Sequence, residues 1–367
     1  MKITQIDVYQ VTYGLLGQKY SWSGGHYVTS FVSTVVKVST DEGIKGFAEG
    51  CPLGSAYADA YARGVPSGIE ELAPALIGQD PRQIKTINNL MDSVMCGHSY
   101  IKAPLDVACW DILGQATGLP VCTLLGGRYV DDYPLYRAIP QRSEQEMADD
   151  VVRFRSEGYH IFQLKVGGDP DDDIRRIKAV LKNIQPGEVL VADANTGWLP
   201  HQAVRVVNAV AGEDLYIEQP CLTLEECLVV RAHTQLPMVL CELMTGVDAV
   251  LRAYQQRAMD VVNLKVSRVG GLTKAKLIRD LCETLGLALT IEDAWGGDIA
   301  TATIAHLVGS TRPGFLFSST DFNSYIDLRI ADDAPTKKEG RMAVPTGPGL
   351  GIHVEEKRLG KPVLTLK

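Results

Sequence analysis

Six charged residues, Lys165, Asp193, Glu218, Glu242, Lys265 and Asp293, each stand at or just past the end of a short apolar run, and they follow one another at intervals of 28, 25, 24, 23 and 28 residues. The apolar runs, at 161–166, 189–192, 215–217, 238–240, 261–264 and 287–291, read as strands. Amphipathic helices are predicted between them over 171–182, 201–210, 224–233, 247–255 and 272–285. Strand and helix in alternation build a parallel sheet, either closed as a barrel or open and doubly wound. Six evenly spaced units suit closure better than a sheet with a switch point. No Gly-x-Gly-x-x-Gly follows a strand, which argues against a dinucleotide site. The expectation is an α/β chain with a TIM-type barrel of seven or eight β/α units over 126–325.

The preceding segment is built differently. Ile3, Ile6, Val8 and Val11, followed by the β-rich stretch 28–38, predict an antiparallel meander, and helical periodicity takes over between 58 and 118. Gly126-Gly127-Arg128 marks the stop between this α+β unit and the barrel. Composition narrows the partners. A net charge of -8 leaves no basic surface for nucleic acid. No apolar run reaches the length of a membrane span, and the chain opens directly into a strand pattern without a signal peptide, so no membrane partner and a cytoplasmic address are expected. The eight cysteines are scattered singly, with no C-x-x-C pair for zinc or redox work.

In a barrel, residues past the C-terminal strand ends converge on one mouth. Asp193, Glu218 and Glu242 would lie there on adjacent strands, and three neighbouring carboxylates call for a hard divalent cation, Mg²⁺ before zinc. Taken one at a time they read equally as acids capping strand-to-helix loops. Lys165 and Lys265 flank the acids in strand order and would face each other across the mouth. A lysine in an apolar strand is either paired in a salt bridge or deprotonated for work, and a nearby metal or second ammonium would lower its pKa toward that of a usable base.

These residues carry a family resemblance along nearly the whole chain. The run from Lys102-Ala103-Pro104 through Trp110-Asp111 to Leu113-Gly114, with Asp193-Ala194-Asn195, Ile217-Glu218-Gln219-Pro220, and Leu264-Lys265 followed by Gly270-Gly271-Leu272, resembles the muconate-lactonizing subgroup of the enolase superfamily. The resemblance implies a capping domain of residues 1–125 completed by the tail 326–367, Mg²⁺ on the three carboxylates, and two lysines on opposite substrate faces. It also implies that metal and lysine together form and hold an enediolate, in a protein that often assembles into homo-oligomers. Two positions depart from the subgroup's pattern: Gln163 stands where a first lysine is usual, and Cys241 where an aspartate is usual before Glu242.

The stretch from Glu292-Asp293-Ala294-Trp295 to Asp298, and the loop from Cys51-Pro52-Leu53-Gly54 to Tyr57, resemble enzymes acting on proline derivatives, namely hydroxyproline betaine epimerases and, more closely, cis-3-hydroxy-L-proline dehydratases. A small amino-acid substrate is therefore expected. Trp295 would pack on its ring or cationic nitrogen, or serve as an ordinary rim aromatic. Asp321 would hold a secondary ammonium, or serve as a turn residue. Asp293, Asn195, Tyr57 and Tyr20 complete the candidate substrate contacts, and Tyr20, Trp22, His26 and Tyr27 sit in a Gly-containing stretch that reads as a lid or a non-contacting loop. A barrel that binds an amino acid without turning it over is the alternative of another class.

Overall fold

The computed structural model describes residues 1–17 and 19–367. Strands β1 (Ile3–Gly14), β2 (Ser30–Thr40) and β3 (Lys45–Gly50) form an antiparallel sheet, and the late strand Leu364–Leu366 pairs with the outer edge of β1, so both ends of the chain share one sheet. Helices α1 (Gly64–Leu76), α2 (Ile84–Val94) and α3 (Ser99–Thr117) follow. Helix α3 is buried on nearly every face because it lies between this sheet and the rest of the molecule. Gly46 permits that contact: a Cβ there would stand 2.2 Å from the Ala108 carbonyl oxygen. Of the remaining tail, Lys337–Lys338 pairs with Arg341–Ala343, which pairs with Asp132–Pro134 beside the barrel instead of with the cap sheet.

Eight parallel strands, each hydrogen-bonded to the next in chain order, make the barrel. They are β4 (Tyr136–Ile139), β5 (Ile161–Lys165), β6 (Val189–Asp193), β7 (Tyr216–Glu218), β8 (Met238–Leu240), β9 (Val261–Lys265), β10 (Ala288–Glu292) and β11 (Leu316–Ser319). The expected strands fall within a residue or two of these, whereas β4, four residues long and carrying Arg137, has no apolar run to announce it. Between β11 and β4 side chains bridge the sheet: the Ala138 N–H donates to the Tyr325 hydroxyl (3.2 Å) and Arg137 to Ser324 Oγ (2.9 Å). Outside run α4 (Glu144–Ser156), α5 (Pro170–Leu181), α6 (Pro200–Ala209), α7 (Leu224–Arg231), α8 (Val247–Gln255), α9 (Leu272–Leu285) and α10 (Asp298–Gly309). Ser143 with Glu146 and Thr223 with Glu226 form capping boxes that start α4 and α7.

Strand alternation decides what faces the barrel axis. Val191, Val239 and Val261, with Ala288 and Phe317, fill the interior below. Two residues further along, or at the matching register positions, stand Gln163, Asn263 and Thr290, and above them Lys165, Asp193, Glu218, Lys265 and Glu292.

The cap is fastened over this mouth by buried carboxylates placed at helix starts, where backbone N–H groups lack intrahelical partners. Glu49 accepts from Gly297 N (2.9 Å) and Ala300 N (3.1 Å) at the start of α10, and Asp106 accepts from Thr273 N (3.0 Å) at the start of α9.

Candidate active site

A narrow cavity at the barrel mouth is lined by Lys165, Lys265, Gln163, Asn195, Glu292, Tyr136, Thr320 and Tyr325 from the barrel side, and by Tyr20, Trp22, Leu53 and Tyr57 from the cap. The hairpin of Tyr20–Ser21 and Tyr27–Val28 is tied to the barrel by Ser23 Oγ donating to the Asn195 carbonyl (3.1 Å) and Gln141 N–H donating to the Ser21 carbonyl (3.0 Å). Of the expected lid residues, Trp22 faces the cavity with His26 stacked on it at 5.8 Å, and Tyr27 is exposed.

The three acids end adjacent units of the barrel, each turned toward a protein donor. Asp193 pairs with Lys165 Nζ at 2.5 Å. Glu218 accepts from Gln163 Nε2 (2.9 Å) and Asn263 Nδ2 (2.6 Å), and Glu242 from Asn195 Nδ2 (3.0 Å). Gln163 thus orients a carboxylate where a lysine would add charge. Burial, then the charges of Asp193, Glu292 and Glu242, push Glu218 up to about 8 despite Lys165, and burial with Glu242 also raises Asp193. In that orientation no three His, Cys, Asp or Glu side chains among the described residues are gathered as a ready set of ligands. The donor chemistry nevertheless fits a hard cation. Glu242 Oε2 and Asn195 Oδ1 are buried without a hydrogen-bond partner, beside three acids whose mutual repulsion the single Lys165 charge only partly offsets. Cys241 turns away, its sulfur 3.3 Å from an Arg268 nitrogen, and burial holds its thiol far above the ordinary range.

Both lysines are buried ammonium groups. Burial would lower Lys165, but the Asp193 carboxylate outweighs it; burial would lower Lys265, but Glu292 outweighs it. With these counter-ions in place both stand well above the usual lysine value, whereas the depression expected from the sequence concerns the site with a cation beside Lys165. Lys265 Nζ donates to Glu292 (2.7 Å), to the Tyr57 hydroxyl (2.8 Å) and, more distantly, to the Asp293 carbonyl (3.4 Å).

Asp293 lines the cavity as expected, but its carboxylate accepts from Ser267 N (3.0 Å) and Ser267 Oγ (2.6 Å), bracing the turn after β9, while the neighbouring Glu292 takes the inward position. Asp321 does not line the cavity; its charge is felt by Tyr133, Tyr159 and Arg137 behind the β11–β4 seam. Trp295 does line it, but Tyr20, Phe31, Phe322 and Tyr325 surround its ring at 4.9, 5.7, 5.3 and 5.4 Å, which leaves little face for a cation. Glu292 is the residue that sequence reasoning missed, although period-2 alternation from Ala288 through Thr290 marks it as inward.

A fold of this kind, with acids and lysines at successive strand ends, defines a barrel enzyme built for proton abstraction beside a carboxylate, and the chain belongs to the enolase superfamily. Residues 146–358 match the enolase C-terminal domain-like family, and residues 26–126 match the mandelate racemase/muconate lactonizing enzyme N-terminal domain. Among curated relatives, a cis-3-hydroxy-L-proline dehydratase of Roseibium aggregatum is 56% identical over 99% of both chains. An N-succinyl-L-Arg/Lys racemase of Bacillus cereus is 28% identical over 98% of this chain and 97% of its own. A mandelate racemase/muconate lactonizing enzyme from Roseovarius nubinhibens superposes with a TM-score of 0.96 at 41% identity, covering 100% of this chain and 98% of that one. A superfamily member from the same organism complexed with magnesium gives 0.95 at 35%, covering 100% and 99%.

Proposed function

We propose that this chain is a hydro-lyase that converts cis-3-hydroxy-L-proline to Δ¹-pyrroline-2-carboxylate. The observation that carries the reading is the pair of buried lysines, one ending β5 and one ending β9, that line a single cavity with three carboxylates on the strands between them. The 56% identity to a cis-3-hydroxy-L-proline dehydratase supports the substrate. In this reading Asp193, Glu218 and Glu242 hold Mg²⁺, which when bound supplies positive charge opposite the substrate carboxylate as the α-proton leaves.

The protein's own groups do the rest. In the cis isomer the hydroxyl and carboxylate share a ring face, so the α-hydrogen lies on the other face and elimination is anti. That geometry needs a base on one side and an acid on the other, which two lysines on opposing strands supply. One lysine takes the α-proton. As the C3–O bond breaks, the second lysine, an ammonium, protonates the departing hydroxide to water, and the enamine left behind tautomerises to the Δ¹ imine. Tyr20, Tyr57, Asn195 and Trp295 surround the ring. Residues 1–125, completed by the end of the tail at Leu364–Leu366, serve as the cap, residues 126–325 as the catalytic barrel, and the working form is a homo-oligomer, which light scattering would read.

The test is a substrate panel with Mg²⁺ in D₂O. Dehydration of the cis isomer, with poor turnover of trans-3-hydroxyproline, is expected; equal turnover of both isomers would sink the anti mechanism. α-Epimerisation of a proline derivative shares the first step, and the two-lysine arrangement favours it as a second reading: α-deuteration with inversion and no dehydration would establish it. A barrel that only binds would give no deuteration.

A further inference from the structure

The two lysines occupy equivalent strand ends in unequal surroundings. Lys165 has one carboxylate partner, Asp193, and Asp193 belongs to the acids proposed for the cation. Lys265 is paired instead with Glu292, an acid outside that set and almost fully buried. Glu292 is itself fixed on every side: Tyr136 donates its hydroxyl to Oε2, Asn263 Nδ2 donates to Oε1 at 2.8 Å, and the β9–β10 ladder sets Lys265 directly opposite Glu292. The Asn263 amide also bonds Glu218, so one side chain ties the counter-ion of Lys265 to the acid cluster. The other groups facing Lys265 are Tyr57 and Tyr100 from the cap, Cys241 past β8, Arg268 past β9 and Asp293 past β10, and the Arg268 charge opposes a proton on Lys265. Among the described residues Glu292 is thus the carboxylate in direct contact with Lys265 Nζ.

We propose that Glu292 is the positioning residue of Lys265, fixing its Nζ at the cavity wall through a contact that is itself braced by Tyr136 and Asn263. The inference rests on the two-lysine reading above but concerns a residue that reading does not use.

Proline without a 3-hydroxyl isolates the proton-transfer step. With Mg²⁺ in D₂O, each lysine serves one face and hence one enantiomer, and Lys165→Met and Lys265→Met identify which. Glu292→Gln should lower the plateau rate of exchange, reached at high pH, by at least about tenfold for the enantiomer that Lys265→Met abolishes. It should move the pH profile of that exchange down by about one to three units and leave the other enantiomer within about twofold. Glu292→Asp, which keeps the charge, should restore the profile toward wild type. Equal losses on both enantiomers, or a loss confined to the Lys165 enantiomer, would overturn the proposal. Without substrate, ¹⁵N NMR of the lysine Nζ groups should show the Lys265 titration falling in Glu292→Gln while that of Lys165 stays; an unchanged Lys265 titration also overturns it. If the wild-type protein exchanges neither enantiomer, the functional reading fails, and the NMR arm still decides the role of Glu292.

Discussion

Acid should unfold this protein partly through one histidine far from the barrel mouth. His306 lies in α10, fully buried; its Nδ1 accepts from the Cys122 N–H at 3.1 Å, and its Nε2 stands 3.0 Å from the Leu350 carbonyl. Only the neutral ring, bare at Nδ1 and protonated at Nε2, satisfies both partners. Burial, aided by the Arg128 charge and opposed by the Leu350 contact, lowers its pKa from 6.5 to about 4. The unfolded chain therefore takes up a proton near pH 6.5 that the folded chain refuses until about 4. The stabilisation is fully present above pH 6.5 and drains away as pH falls through that window. A gap of about 2.5 units corresponds to roughly 3 kcal/mol. Urea unfolding at fixed pH values between 7 and 4 reads it, with His306→Gln as the reference that cannot titrate. The wild type should lose about 3 kcal/mol more than the variant across that range. Parallel curves would show that the ring is not held neutral and refute the argument.

Glu218→Gln should leave the fold intact and cut turnover by about a hundredfold or more, with metal affinity by calorimetry reduced in step, because one oxygen ligand and its charge are lost; full activity in excess chelator would remove the metal from the reading. Asp106→Ala strips the partners of Thr273 N, Thr273 Oγ1 and Asn88 Nδ2 at the start of α9. About 3 to 4 kcal/mol of destabilisation is expected, seen as a melting temperature lower by roughly 4 to 5 °C. Asp321→Asn should change KM for the amino acid by less than about twofold, since Asp321 does not line the cavity; a large KM effect with unchanged stability would return Asp321 to the substrate.

The sequence by itself determined the architecture and most of the chemistry. Spacing of about 25 residues between charged strand ends follows from the length of a β/α unit, and Lys165, Asp193, Glu218 and Lys265 stand out because charge at the end of an apolar strand has few structural uses. The same alternation, followed from Ala288, was available to pick out Glu292. Choosing between Glu292 and Asp293 nevertheless needed the ladder that sets Lys265 against Glu292, since adjacent acids on a strand point to opposite faces and a shift of one residue exchanges them. Tertiary structure alone decided three other matters. The segment Tyr136–Ile139 is a barrel strand, because its neighbour β5 and the Tyr325 hydroxyl satisfy its backbone. Asp321 is buried outside the cavity lining, and the Trp295 ring is enclosed by four aromatics drawn from both cap and barrel. Contacts of that kind join residues hundreds of positions apart, and local periodicity carries no record of which side chain will fill the space beside another.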